Sequence, residues 1–258
     1  MYLASHADTT SRIREARPRS TRTALSPPAA ESDVPGSPPV GVIPRHGSLA
    51  DVAYERMLAW IMDGTLEPGM PLRLASLATS LGISQTPLRE SLARLEGQGL
   101  VIRLPMRGFS VAEPLSAEDL DRLMEARFVL EPAIAGRAAA RALPSQIAEL
   151  QEVLSRSAAV ELGPRFDDYR AYLDFSAEFH DLIGVASGNR FLHQAVDSLP
   201  IHIQRFRLFG EEGVNDRDVA VAEHQEILDA IADHDAERAT EAMRRHISGV
   251  HARSMNQA

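Results

Sequence analysis

The chain has 258 residues, of which 44% are hydrophobic, with no cysteine and a formal net charge of −9. That length suits two domains, or one domain with a flexible arm, and the apolar content is enough for packed cores. No apolar run approaches the ~18 residues of a membrane span, the N-terminal stretch has arginines but no apolar signal-peptide core, and the lack of cysteine excludes disulfides and thiolate ligands and fits a reducing cytoplasm. Every one of the 27 basic residues is arginine, which we read as composition bias. Residues 1–48 hold 6 Arg and 4 acids, residues 49–113 hold 6 and 7, and residues 114–258 hold 15 and 25. The acidity therefore lies in the C-terminal part, and the nearly neutral middle can still present a local basic face to a polyanion.

Residues 1–46 are rich in Ser, Thr, Pro, Ala and Arg around "SPPAAESDVPGSPP" and keep no helical or strand period. Such a segment is expected to be a disordered tail. It is either passive or an arm whose Arg12, Arg14, Arg17, Arg19 and Arg22 add non-specific DNA affinity. From Ser48, an N-cap residue, "SLADVAYERMLAWIMDG" predicts a helix with Val52, Met57, Leu58, Ile61 and Met62 on its apolar stripe, ended by Gly64. "TLEPGMPLR" reads as a turn with a short strand-like end. "LASLATSLG" reads as a short helix stopped by Gly82, and Ser84 caps a third helix running to about Gln98. "LVIRL" and "FSVAE" pair as a hairpin across Pro105–Gly108.

Helix, short helix, tight turn, helix and hairpin is the order of a winged helix–turn–helix, here over residues 47–113. In the third helix Leu88, Leu92 and Leu95 share a face that docks inward, while Thr86, Arg89 and Ala93 lie opposite, flanked by Gln85 and Arg94. Ser84, Gln85 and Thr86 stand at the helix N-terminus, where N–H groups and the helix dipole favour a phosphate. Arg89 can meet a guanine edge with two hydrogen bonds, and Gln85 an adenine or the backbone. Arg107 stands at the wing tip beside Gly108, placed to enter a minor groove.

"LEPGMPLRLASLATSLGISQTPLRESLARLEGQGLVIRLPMRGFSV" resembles the GntR family of bacterial transcription regulators. The shared marks are the Pro-Gly turn, Leu-Gly-hydrophobic-Ser, Thr-Pro-x-Arg-Glu-x-Leu, and Arg-Gly before the last strand. The resemblance implies that Arg73, Arg89, Arg94, Arg107 and Gly108 lie at or near DNA and that Glu90 is structural. Where the family usually has Arg between Ser and Thr-Pro, this chain has Gln85, so one cationic contact is missing and a different operator core is expected.

From Ser116 onward the pattern is helical throughout, beginning with a capping motif from Ser116 to Asp119. Pro144 is expected to break the first helix, and joints fall at Gly163-Pro164, Gly188-Asn189, Gly210–Gly213 and His234-Asp235. The fold class is thus mainly α: a winged helix–turn–helix followed by an all-helical bundle of six or seven helices over 114–253. "EARFVLEPAIAGRAAARA", "EFHDLIGVASGN" and "EHQEILDAIADHDAERATEAMRRHI" resemble the FCD domain, the effector-binding and dimerising partner in the FadR-like branch of that family.

The resemblance implies a metal site of His180, His224 and His246, residue types that suit Zn, Ni, Fe or Mn. The Asp that the family commonly places four residues before the first His is Ser176 here. Asp174 is six residues before His180 and points elsewhere on the helix. The site is then three histidines with water or an effector carboxylate, or it holds no metal. His193, His202, His234 and His251 match no ligand pattern. A small organic acid is the expected effector, with Arg127 projecting into the bundle and Arg205 or Arg207 doing likewise. A buried guanidinium needs a partner, and the acid, Glu131 or a bundle Asp can supply it. Asn189, after Gly188, is a helix cap or a further effector contact.

Together these features predict a cytoplasmic homodimeric repressor that binds operator DNA and responds to a carboxylate effector. An activator of the same architecture is the alternative. A His-ligated metal-dependent enzyme is a weaker one, because H-E-x-x-H, G-x-S-x-G and a P-loop are all absent.

Overall fold

A computed structural model describes residues 48–199 and 214–255. The expectations for the tail, and those for His202, Arg205 and Arg207, lie outside the described residues. Helix α1 spans Leu49–Met62, and Ser48 and Asp51 close a reciprocal capping box at its start. Its buried face is built from Ala50, Ala53, Tyr54, Met57, Leu58 and Ile61, whose spacing of three and four residues is one helical stripe. Val52 does not join it and is 53% exposed. It lies five residues from Met57, about 140° around the helix.

Strand β1 (Pro71–Leu72), helix α2 (Leu74–Leu81), helix α3 (Gln85–Gly97) and strands β2 (Val101–Leu104) and β3 (Gly108–Val111) follow. The sheet order is β1-β3-β2, antiparallel throughout. Val101 faces Val111, and Leu104 faces Gly108. Gly82 ends α2 in the left-handed conformation. Leu88, Leu92 and Leu95 are completely buried, each contributing about 1.5–3 kcal/mol of apolar burial. Ser84 occupies the N-cap position of α3, but its side chain makes no capping hydrogen bond.

Six further helices make up the bundle among the described residues: α4 (Ala117–Ala139), α5 (Pro144–Ala158), α6 (Phe166–Ala186), α7 (Arg190–Asp197), α8 (Arg217–Ala232) and α9 (Ala236–Met255). Ser116 caps α4 through the N–H of Asp119. Pro144 does not interrupt a helix. It is the first residue of α5, where its missing N–H would have had no partner in any case. Pro132 sits inside α4 instead. No helix among the described residues is long and apolar enough to cross a membrane.

The two core clusters do not divide at the end of the wing. Phe166, Tyr169, Tyr172 and Leu173, from the first half of α6, are buried with Leu88, Leu92 and Phe109 of the winged module. Phe179 and Ile183, from its second half, belong to the core of the bundle. Asp63, at the end of α1, accepts the Phe166 N–H at 2.8 Å and so caps α6 from the other module. Glu55 and Arg170 form an ion pair across the same junction. One helix thus runs from the winged module's core to the site described next.

Candidate nucleic-acid interface and candidate metal centre

The leucine face of α3 sets what its other face shows. With Leu88, Leu92 and Leu95 inward, Gln85, Thr86, Arg89 and Ala93 are exposed. Arg73 is exposed at the start of α2, and Arg107 is exposed in the turn of the wing. Gly108 there has φ +85°, and Met106 also adopts a positive φ, 61°, with its side chain fully in solvent. Sequence reasoning passed over Met106, although an apolar residue between Pro105 and Arg107 at a hairpin tip is the signal for an exposed wedge. It also passed over Arg103, exposed on β2 with its guanidinium 5.8 Å from the Phe109 ring. Arg94 is engaged within the module. Its Nη1 is 2.6 Å from Asp51, and its guanidinium lies 4.0 Å over the Tyr54 ring.

In the bundle, α6 contributes His180, α8 contributes His224 and α9 contributes His246. One ring nitrogen from each lies within 4.8 Å of the other two. All three rings are nearly buried. Phe179 stacks on the His224 ring at 4.6 Å and walls off that side. Nε2 of His180 is 3.2 Å from Nε2 of His224. Nδ1 of His180 is 3.0 Å from the Glu131 carboxylate, and Nδ1 of His246 is 2.8 Å from that of Glu223. A neutral imidazole that donates from Nδ1 offers a lone pair at Nε2, so both carboxylates turn the ligating nitrogen towards the centre.

These residues fit a divalent cation. Two nitrogens bound tetrahedrally to one Zn²⁺ at 2.0–2.1 Å stand about 3.3–3.4 Å apart, close to the His180–His224 separation. A cation bound there would supply a positive charge and an open coordination position for an anionic ligand.

Arg127 is 2% exposed and already paired. Its Nε is 2.6 Å, and its Nη2 3.3 Å, from the two oxygens of Glu131. Burial alone would raise the Glu131 carboxyl, but Arg127 and His180 outweigh it and hold it well below the usual carboxylate range. Of the partners open to Arg127, the one in place is Glu131, one helical turn away.

A cavity of about 370 Å³ opens beside His180 and Glu131, with Ile134, Ile183 and Met243 as apolar lining and Glu178, Asp181 and Asp197 as acidic lining. His193 also lines it and pairs with Asp181 at 2.6 Å. The sequence pattern had assigned His193 no role. Asn189 is not part of this lining. Its side chain accepts from the N–H groups of Phe191 and Leu192 and caps α7. His234 bonds to the Ala139 carbonyl, and His251 pairs with Asp121. Ser176 is buried in α6, one turn before His180.

Comparison with known proteins matches residues 49–111 to the model of bacterial regulatory proteins of the gntR family and residues 122–249 to that of the FCD domain. The chain belongs to the GntR family of bacterial transcription regulators and carries an FCD domain. It is 32% identical over 203 residues to an uncharacterized HTH-type transcriptional regulator in an unstable DNA locus of Streptomyces ambofaciens, spanning 76% of this chain and 81% of that protein. It is also 32% identical over 232 residues to the putative L-lactate dehydrogenase operon regulatory protein of Escherichia coli K12, spanning 81% and 87%. The solved structure of E. coli McbR/YncC shares the fold, with a TM-score of 0.63 at 24% identity over 82% of this chain and 99% of that one. This GntR-family chain is a DNA-binding transcription regulator and not an enzyme. Its winged module carries the match to the gntR-family model, and its helical bundle carries the match to the FCD domain.

Proposed function

We propose that the protein is a cytoplasmic homodimeric repressor whose operator affinity is set by a small carboxylate effector bound to a divalent cation on His180, His224 and His246. The observation that carries this reading is the convergence of three imidazole nitrogens, two of them backed by carboxylates, beside a 370 Å³ cavity. The charges of the described lining favour a cation. Arg127 is satisfied by Glu131, and the described cavity lining contains Glu178, Asp181 and Asp197 but no arginine. An acid entering there is repelled unless a cation offsets those carboxylates. The relative named for an L-lactate dehydrogenase operon favours a 2-hydroxy acid, which can chelate through carboxylate and hydroxyl. Ser176 leaves a coordination position that the family commonly fills with Asp, and the second oxygen of such a chelate would take it.

On DNA, Gln85, Thr86 and Arg89 read base edges, Ser84 and the first turn of α3 meet phosphate, and Arg73, Arg107 and Gly108 contact the backbone or minor groove. Arg94 contributes by bracing α3 against α1. Two modules address half-sites one turn apart, about 10 bp. The effector favours a domain arrangement that does not fit that spacing.

The test begins with a duplex selected from a random library by the metal-loaded protein. L-lactate and related 2-hydroxy acids are then titrated into the complex, before and after chelation of the metal. Release of the duplex by a hydroxy acid, abolished on chelation, is the expected outcome. Release that is unchanged by chelation would overturn the metal's part. Binding with no sequence preference would overturn the regulator mechanism.

A further inference from the structure

We propose that Glu223, Arg253 and Gly249 form a positioning relay that aims His246 at the cation site, opposite a matching relay from Arg127 through Glu131 to His180. The proposal rests on reading the histidine trio as metal ligands. It assigns work to residues outside the trio and outside the cavity wall.

The contacts form a chain. Glu223 on α8 takes the Nδ1–H of His246 on α9 at 2.8 Å. Arg253, two turns further along α9, holds both oxygens of that same carboxylate, each at 2.8 Å. Its remaining Nε donates to Asp216, the N-cap residue of α8, at 2.8 Å. His246, Gly249 and Arg253 are spaced three and four residues apart and so share one face of α9.

A side chain at Gly249 would push the fork out of its present position. A Cβ there would stand 2.5 Å from Glu223 Oε1 and 2.8 Å from Arg253 Nη1. The fork therefore occupies the space that a larger residue would fill.

A carboxylate on its own rotates about its terminal torsion and holds an imidazole loosely. A planar guanidinium bonded to both oxygens fixes the carboxylate plane. The carboxylate then fixes the ring's tautomer and orientation. Across the site, Arg127 clamps Glu131 in the same way, and Glu131 bonds His180 Nδ1. Two Arg–Glu–His chains thus approach the centre, one within α4 and on to α6, the other between α8 and α9. An ordinary surface ion pair between two helices would need neither the histidine at one end nor a glycine beneath it.

The experiment measures Zn²⁺ affinity of the full-length protein by competition with a chromophoric chelator, for wild type and for Glu223→Gln, Arg253→Met, Arg253→Lys and Gly249→Ala. Arg245→Met is the control, since Arg245 pairs with Glu226 across the same two helices on the exposed surface. Thermal unfolding of the metal-free proteins runs alongside. Glu223→Gln, Arg253→Met and Gly249→Ala are expected to weaken Zn²⁺ binding by roughly 10- to 100-fold and to alter the Co²⁺ d–d spectrum. Arg253→Lys recovers only part of the loss, because an ammonium cannot hold both oxygens. Arg245→Met leaves affinity and spectrum unchanged. If folded relay variants, including Arg253→Lys and Gly249→Ala, bind Zn²⁺ as wild type does, the relay is overturned and the trio stands. If wild type itself binds no Zn²⁺, the metal reading and the relay fall together.

Discussion

The outward face of α3 and the histidine trio are both sets of polar side chains placed by helices, yet they are organised in opposite ways. Gln85, Thr86 and Arg89 stand in solvent on one short helix. His180, His224 and His246 come from three helices, are nearly buried, and have carboxylates behind two of their rings. A surface that reads a partner needs its hydrogen-bonding groups turned outward, so local helical spacing suffices to build it. A buried site must satisfy every polar group from within, so it recruits partners from distant parts of the chain. Arg94 and Arg127 show the same contrast. Arg94 is bridged to Asp51 at a half-exposed surface, whereas Arg127 is sealed in the bundle with Glu131.

Breaking the buried side is expected to have the larger effect. Glu131→Ala would leave the Arg127 guanidinium buried without its counter-charge and should destabilise the fold by about 3–5 kcal/mol, read by chemical denaturation. Replacing both residues, Arg127→Met with Glu131→Leu, should cost much less in stability while still impairing Zn²⁺ binding. If the single and the double variant were equally unstable, the clamp would not be the source of the effect.

On the exposed side, Arg89→Ala should leave stability nearly unchanged and weaken binding to the selected duplex by about 1–3 kcal/mol, with relaxed preference at one base position. Uniform weakening across all sequences would instead make Arg89 a phosphate contact. The smallest effect is expected at the junction between the two regions. Asp63→Ala removes the cap on the Phe166 N–H and should cost about 1 kcal/mol, seen as a modest drop in Tm. If α6 carries the signal from the cavity to the winged module, the same variant should also blunt the effector's influence on DNA affinity, measured by fluorescence anisotropy.

The winged module was largely legible in the sequence because its signals are local. Leucines three and four residues apart, a left-handed Gly82 and an Arg-Gly turn each act within one helix or hairpin. Where that reading failed, the cause was also local. Val52 falls off the stripe of α1 because the small residues Ala50 and Ala53 help define the buried face. Ser84 holds the capping position without making the bond. In the bundle, the three histidines were found through resemblance, since a single helical histidine carries no signal of its own. The role of His193 in the cavity wall was invisible, because it depends on how α7 lies against α6.

By itself, the sequence determined the order of helices and strands, which face of α3 turns outward, and the family of DNA-binding regulators to which the chain belongs. All of these follow from short-range periodicity and motif. Tertiary structure alone decided which carboxylate serves which histidine. Glu223 is next to His224 in the chain, but successive residues on a helix point about 100° apart. Glu223 therefore turns away from its neighbour and reaches His246 on the next helix, where Arg253 meets it. Such pairings depend on how helices far apart in the chain pack against one another, and no spacing within a single helix encodes them.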